Sequence, residues 1–152
     1  MKRSERLDKI AGINLGHENL AGASLAASRD QHSQQVNQLE QLKIYKKEYH
    51  QQLKTRLETT ISANEIRDYQ YFFSSLDTAI SQQVELVKQS AAQVENSRNN
   101  WLDKKREVAK ISRVSENLRA REAVAQLKNE QKITDEMNLS VFTMKQALLK
   151  PH

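Results

Sequence analysis

The sequence predicts an all-α protein, a long two-helix antiparallel coiled coil in which the chain folds back once as a helical hairpin. All three glycines lie within the first 22 residues and the only proline is Pro151, so neither of the residue types least favourable in helices interrupts the chain between them. Apolar residues recur at every seventh position in the second half, which is typical of a coiled coil. We expect helix 1 at about residues 4–59, a turn at about 60–63 and helix 2 at about 64–140.

The turn is predicted from the segment Thr59–Asn64, which is rich in residues that are unfavourable inside helices. Threonine and isoleucine are β-branched, and serine and asparagine compete with the backbone for hydrogen bonds. Ser62, with Glu65 three positions later, matches a capping box at the start of helix 2. Alternatively, Asn64 is itself the capping residue.

Helix 2 carries two columns of residues that recur in steps of seven, as in a left-handed coiled coil with one seam. The first column is apolar and consists of Phe73, Ile80, Val87, Val94, Trp101 and Val108. The second column is half polar and consists of Leu76, Gln83, Ser90, Ser97, Lys104, Ile111 and Leu118. Three explanations of the polar positions stay open: they fix the register of the helices, they mark a hairpin of low stability, or they are simply tolerated.

Helix 1 has less regular columns, and these are expected to face the seam of helix 2. One contains Leu25, His32, Leu39, Lys46 and Leu53, and the next contains Leu42 and Tyr49. Folding at the predicted turn pairs positions whose numbers sum to about 122, so Ala21 faces Trp101 and Ile10 lies near Ile111. Because helix 2 is the longer helix, its part beyond about residue 120 is expected to have no partner within the chain.

Composition narrows the class of protein. Charged residues make up 28% and aromatic residues only 5% of the 152 residues, which favours a slender helical unit over 1–152 rather than a compact core. The absence of cysteine excludes disulfides and thiolate metal sites. No apolar run has the length of a signal peptide or a membrane span, and we therefore expect a cytoplasmic protein.

Catalytic and metal-binding patterns are missing from the sequence. The histidines are His17, His32, His50 and His152, and no two of them stand at the i, i+4 spacing of a helical zinc site. There is no glycine-rich phosphate loop, and the carboxylates are scattered along helices without a predicted cleft. We expect a protein that is not an enzyme and that has no cofactor or metal.

A basic run in helix 2 is the first candidate interaction surface. It consists of Lys104, Lys105, Arg106, Lys110, Arg113, Arg119 and Arg121. The net charge of +5 allows this run to meet an acidic protein ring, a phosphate backbone or an anionic membrane. The alternative is a solvated helix face, since Asp103, Glu107 and Glu116 lie among the basic residues. Nucleic acid is the less expected partner, because no aromatic residue interleaves the basic residues after Trp101.

An aromatic cluster near the turn is the second candidate. Six of the eight aromatic residues belong to it: Tyr45, Tyr49, Tyr69, Tyr71, Phe72 and Phe73. Two adjacent phenylalanines cannot both point into a two-helix seam, so at least one is expected to be exposed and able to anchor a partner. The alternative is that the cluster only packs the tip of the hairpin.

The C-terminal tail, at about residues 137–152, is the third candidate. Leu139, Phe142 and Met144 are apolar but lie beyond any predicted partner within the chain. Two interpretations stay open, a frayed tail or a segment that inserts into another protein.

Three segments carry a resemblance to a known family. They are QLEQLKIYKKEYHQQL at residues 38–53, ISANEIRDYQYFFSSLDTAISQ at residues 61–82 and NNWLDKKREVAK at residues 99–110. The chain resembles, over roughly residues 30–136, the FliJ family, the small soluble component of the bacterial flagellar protein-export apparatus. The N-terminal glycine-containing stretch and the last 15 residues match poorly.

The resemblance implies an antiparallel coiled coil similar to the central stalk of rotary ATP synthases. It implies binding at the centre of the hexameric export ATPase FliI with promotion of its assembly, contact with the export gate protein FlhA, and escort of export chaperones, with FliH as a further candidate partner. It also implies a cytoplasmic location, peripherally associated with the inner membrane at the flagellar base, and no nucleic acid partner.

The resemblance also implies a gate-binding surface on both helices near the turn. The matching positions are Gln38, Leu42, Tyr45, Tyr49, Phe72, Leu76 and Ala79. The next position of the family pattern is often a histidine and is Gln83 here. The stalk analogy assigns the basic run and the open end of the hairpin to the ATPase ring.

Two alternative functions stay open from the sequence. One is the equivalent stalk protein of a virulence-type secretion system. The other is a basic coiled-coil protein that binds nucleic acid or an anionic membrane through the Lys104–Arg121 segment.

Overall fold

The computed structural model describes residues 2–149, which form two α-helices. Helix α1 spans Arg3–Leu57 and helix α2 spans Ala63–Leu149, and the described residues contain no strand. The predicted all-α helical hairpin is therefore confirmed. Helix α2 continues about nine residues beyond its predicted end near residue 140.

The chain divides into two compact units. Residues 16–105 form the turn unit, and residues 1–15 with 106–152 form the terminal unit. Each unit contains a part of α1 and a part of α2. That the whole chain acts as a single coiled-coil unit stays a prediction.

The turn begins two residues earlier than predicted, because α1 ends at Leu57. Its hydrogen bonds explain where α1 ends and where α2 begins. At the end of α1 the amides of Glu58 and Thr59 donate to the carbonyls of Thr55 and Arg56, at 3.2 and 3.1 Å, which tightens the last turn. At the start of α2 the Glu65 amide donates to Ser62 Oγ at 3.2 Å. Ser62 is therefore the capping residue, and the alternative assignment to Asn64 is wrong.

The reciprocal half of the capping box is replaced by a contact across the turn. Both carboxylate oxygens of Glu65 accept hydrogen bonds from Arg56 Nη2, at 3.0 and 3.1 Å. Because both side chains are about two-fifths exposed, this ion pair contributes little stability on its own.

The predicted heptad columns form the seam in both units. Every column position from Phe73 to Lys104 is buried or half-buried in the turn unit, as are Val108, Ile111 and Leu118 in the terminal unit. The buried apolar residues in the described part of the chain are only Ala21, Leu25 and Leu76, each 5–7% exposed. The seam is therefore narrow and leaves most apolar side chains partly in solvent.

Polar side chains hold the middle of the turn unit's seam together. Ser28 Oγ lies 2.9 Å from Ser97 Oγ, and His32 Nδ1 lies 2.8 Å from Ser90 Oγ. The Ser90 hydroxyl donates its single hydrogen to the carbonyl of Val87 at 2.8 Å, so His32 Nδ1 must supply the hydrogen between the two side chains.

The seam of the terminal unit ends in two polar clusters. Ser115 Oγ donates to Asp8 Oδ1 at 2.6 Å, and Arg119 forms an ion pair with Asp8. Nearer the N-terminus, Ser4 donates to Glu122 from its hydroxyl at 2.6 Å and from its amide at 3.3 Å. The hydrogen bond from the Ser4 hydroxyl is the main cause that lowers the pKa of Glu122 below its ordinary value.

Beyond Glu122 the described part of α2 has no partner helix in the chain. Residues 123–149 are all exposed, including the large apolar side chains of Leu139, Phe142 and Met144. This agrees with the prediction that helix 2 is longer than helix 1 and has no partner within the chain beyond about residue 120. The prediction for the tail covers residues 137–149, which are helical, and also residues 150–152, which lie outside the described residues.

Candidate functional site

Stacked rings from both helices form an aromatic face near the turn. The Tyr49 ring stacks on Phe72 with 3.9 Å between centroids and on Tyr45 with 5.8 Å. Tyr69 meets Tyr49 edge-on at 6.4 Å. These four rings make one continuous surface, because Tyr49 contacts the other three.

The two adjacent phenylalanines lie on opposite sides of the seam. Phe72 stacks on Tyr49, and Phe73 stacks on His50 at 4.1 Å. Both phenylalanines are half-buried, so the expectation that one of them is exposed is wrong. The exposed rings of the cluster are Tyr45, at 53%, and Tyr71, at 78%, and Tyr71 lies outside the stack.

Two shallow depressions flank the stacked rings on the same face. One has a volume of about 270 Å³ and is lined by Gln38, Gln41, Leu42, Tyr45 and Gln83. The other has a volume of about 300 Å³ and is lined by Tyr49, Gln52, Asp68, Tyr69 and Phe72. The gate-binding candidates Gln38, Leu42, Tyr45, Tyr49 and Phe72 are thus brought together.

The remaining gate-binding candidates have a different exposure. Leu76 is only 7% exposed and belongs to the core of the seam, and Ala79 is half-buried. Leu76 therefore supports the face from beneath, whereas Tyr45, at 53% exposed, presents most of its ring to solvent. A partner would meet Tyr45 and Gln38 first.

Gln83 completes one depression at the position where the family pattern often has a histidine. Its side-chain amide donates to the Gln35 carbonyl at 2.9 Å and to Gln35 Oε1 at 2.7 Å. The side chain is 7% exposed, so these bonds satisfy a group that would be costly to bury alone. Gln83 fixes the floor of the depression beside Tyr45.

The aromatic face has features of a protein-binding surface. It offers flat, partly exposed rings, which are enriched in protein interfaces, next to amide side chains that can form hydrogen bonds.

Within residues 2–149 no group of three or more histidine, aspartate or glutamate side chains is arranged to hold a metal ion. None of the helices in that range is both long enough and apolar enough to cross a membrane.

The basic run has separate surroundings in the two units. In the turn unit Lys104 is half-buried at a seam position, and Lys105 Nζ lies 5.0 Å above the centre of the Trp101 ring, a cation–π distance. In the terminal unit Arg119 is bound to Asp8. The other residues of the basic run in the terminal unit are exposed and lie within about 80° of the α2 surface: Arg106, Lys110, Arg113 and Arg121.

Two contacts beside the aromatic rings were not predicted from the sequence. His50 covers Phe73, and Lys46 Nζ forms an ion pair with Asp77 Oδ1 at 2.5 Å. Both contacts join positions whose numbers sum to 123, close to the predicted pairing, so the register could have indicated them. No role was predicted for His50 or Asp77, and Lys46 was expected only as a seam position.

Comparison with known proteins places the chain in a family. The family model described as "Flagellar FliJ protein" matches residues 2–147. The Flagellar FliJ protein of Escherichia coli (strain K12) is 28% identical over 118 residues, which cover 78% of this chain and 77% of that protein. No solved structure matches the chain. The chain therefore belongs to the flagellar FliJ protein family, a family of flagellar biogenesis and protein export.

Proposed function

We propose that this flagellar export protein acts by binding other proteins, and that the aromatic face is its docking surface for the export gate protein FlhA. The observation that carries the proposal is the stack of Tyr45, Tyr49 and Phe72, with Tyr45 half exposed at its edge. Large rings held rigidly in a partly exposed cluster lose little side-chain entropy when a partner covers them.

The arrangement of the face supports a specific contact more than a general apolar patch. The depression beside Tyr45 is lined by three glutamine side chains, Gln38, Gln41 and Gln83. Amide groups at the edge of an aromatic surface select partners by hydrogen bonding, because a mismatched partner leaves them unpaired.

The second part of the proposal is that the terminal unit engages the export ATPase FliI, at the centre of its hexameric ring. Residues 123–149 form an exposed helix with large apolar side chains, and Arg106, Lys110, Arg113 and Arg121 share one face of α2. An exposed helix with large apolar side chains next to a basic face suits insertion among helices with an acidic surface. The binding of export chaperones and of FliH belongs to the proposal as well, without assigned residues.

The docking surface is tested by titrating purified FlhA with the full chain and with the variants Tyr45→Ala and Tyr71→Ala. Tyr45→Ala should weaken binding about tenfold or more, as is typical of an aromatic anchor. Tyr71→Ala is the matched control, because it removes an even more exposed tyrosine that lies outside the stack, and it should bind almost as the unchanged chain does. Equal affinities for all three proteins, with unchanged helix content, would exclude this surface.

The ATPase contact is tested by titrating the full chain into purified FliI at about 150 mM salt, near physiological ionic strength. We expect saturable hexamer formation and stimulated ATP hydrolysis, with saturation near one chain per six ATPase subunits, since a single chain fits at the centre of a ring. A chain with residues 123–149 removed should lose the stimulation. Stimulation that persists in the truncated chain would assign the contact to another surface.

A further inference from the structure

We propose that the turn unit has a second docking surface, on the side of the seam opposite the aromatic face, which binds an acidic amphipathic helix of a partner protein. A groove of about 720 Å³ runs between α1 and α2 on this side. We call it the basic groove. The lining residues that matter to the argument are Lys46, His50, Phe73, Ser74, Thr78 and Ser81.

The groove and the aromatic face have different lining residues, although their rings are in contact. Tyr49 stacks on Phe72 and His50 stacks on Phe73. Tyr69 connects the two ring pairs, since it meets Tyr49 edge-on at 6.4 Å and stacks on Phe73 at 6.5 Å. The groove is lined by His50 and Phe73 but by none of the tyrosines, so a partner can occupy it without contacting Tyr45.

The α1 surface beside the groove carries an excess of positive charge, whereas the charged lining residues of the groove itself are Lys46 and Asp77. Lys43, Lys46, Lys47 and Lys54 lie within about 100° of the α1 surface, at 100° per residue. Lys46 is neutralised by Asp77 at 2.5 Å. Within residues 2–149 the exposed Lys43, Lys47 and Lys54 form no ion pair, so three charges remain available for acidic groups of a partner.

The α2 wall of the groove allows a helix to approach closely. Ser74, Thr78 and Ser81 are small, and the Thr78 hydroxyl is turned back to the Ser74 carbonyl at 3.1 Å. Between the walls lie the stacked rings of His50 and Phe73, 4.1 Å apart. Small side chains above an apolar floor are the setting in which a third helix packs against two others.

The charges beside the groove and the shape of the groove together indicate which kind of partner fits it. A row of lysines on the α1 surface beside the groove can pair with glutamates or aspartates spaced three and four residues apart on a helix. A lipid surface would need apolar side chains that project beyond the lysines, whereas the apolar floor of this groove is recessed, with Phe73 half-buried. An acidic helix with an apolar stripe fits both features.

Binding is tested with the full chain and two synthetic peptides, followed by fluorescence anisotropy at about 150 mM salt. The first peptide is a helix former with a leucine stripe flanked by glutamates, and the second has glutamine in place of each glutamate. We expect the glutamate peptide to bind about tenfold more tightly or better, because only it can pair with the lysines. Equal affinities, or no binding of either peptide, would overturn the proposal.

The site is located with matched charge variants. Replacing Lys43, Lys47 and Lys54 by glutamine should weaken binding of the glutamate peptide about tenfold. The control replaces Lys128, Lys132 and Lys145 by glutamine, which changes the net charge equally but lies in the exposed part of α2, and its affinity should stay within about twofold. Equal loss in both variants would mean that net charge alone attracts the peptide.

Two further variants separate the groove from the aromatic face. Ser81→Trp should fill the groove and abolish binding with unchanged helix content, whereas Tyr45→Ala should have no effect. The reverse result would place the peptide on the aromatic face and overturn the proposal. Binding of phosphatidylglycerol vesicles that depends on the same lysines, without binding of the peptide, would assign the surface to a membrane instead.

Discussion

The seam of the turn unit has a different composition near the turn and in its middle. Near the turn it is made of rings and one buried leucine: Tyr49 on Phe72, His50 on Phe73, and Leu76. In the middle it is made of hydrogen-bonded polar pairs: Ser28 with Ser97, His32 with Ser90, and Gln35 with Gln83. Both regions belong to the same two helices, and the second heptad column of α2 runs through both, from Leu76 to Ser97.

The difference indicates which part of the seam stabilises the hairpin and which part aligns the two helices. Burial of apolar surface contributes free energy in proportion to its area, so the region near the turn should hold the helices together. A hydrogen-bonded pair contributes little net free energy but is costly when one partner is removed. The middle should therefore align the helices while opening more readily, and the binding face should rest on the more stable region.

The largest effect is expected where apolar packing is densest. Leu76→Ala should lower the free energy of unfolding by about 2–3 kcal/mol, the lower part of the usual range for a buried leucine, because a two-helix seam can partly close over the cavity. Urea denaturation measures the change. Leu86→Ala, at an exposed position of the same helix, should change it by less than about 0.5 kcal/mol. Equal losses of unfolding free energy at both positions would contradict apolar packing of the seam near the turn.

The polar middle should respond differently to single and paired changes. Ser97→Ala leaves the Ser28 hydroxyl buried without its partner and should cost about 1–2 kcal/mol. Ser28→Ala combined with Ser97→Ala should recover most of that loss, because two methyl groups then face each other in the seam. A double-mutant cycle measures the coupling. Losses that simply add would show that the two hydroxyls do not interact.

The cap at the start of α2 should have a smaller effect. Ser62→Ala removes the acceptor of the Glu65 amide and should cost about 1 kcal/mol. Arg56→Gln removes the exposed ion pair across the turn and should cost less than about 0.5 kcal/mol. Thermal unfolding of the two variants ranks them. A larger loss for Arg56→Gln would mean that the turn is held by charge rather than by the cap.

The smallest effect is expected from a polar contact in the terminal unit. The Ser4 hydroxyl keeps the pKa of Glu122 below its ordinary value of 4.5, because the hydrogen bond favours the ionised carboxylate. Its stabilising contribution is therefore present above about pH 4.5 and is lost as the pH falls through the lowered pKa of the folded state. An NMR titration of Glu122 should give a midpoint below 4.5, and Ser4→Ala should raise it. An unchanged midpoint in Ser4→Ala would remove Ser4 as the cause.

Much of this fold could be predicted because a heptad pattern fixes which residues share a seam. The columns through Phe73 and Leu76 lie in the seam as predicted, and the contacts between the helices follow the predicted pairing. The boundaries were less accurate. A helix end depends on single hydrogen bonds, such as that from the Glu65 amide to Ser62, and several neighbouring residues could have formed them.

The surfaces were harder to predict than the seam. The sequence predicts that Tyr45, Tyr49 and Phe72 lie on one surface near the turn. It does not predict that Phe73 stacks on His50, because that contact depends on the side of the seam on which each ring lies. Nor did it indicate the basic groove. Lys46 and His50 become one wall of this groove only when α2 supplies the other wall, with Ser74 and Thr78.

The central claim, that a stable turn end presents the aromatic face for docking, is tested most directly by hydrogen-exchange mass spectrometry of the full chain with and without FlhA. In the free chain, peptides that cover residues 42–50 and 69–77 should exchange more slowly than peptides from residues 28–35 and 90–97, because local opening costs more where apolar packing is dense. FlhA should slow exchange further at residues 38–49. Faster exchange at the turn end than in the polar middle, or protection by FlhA confined to other segments, would contradict the account.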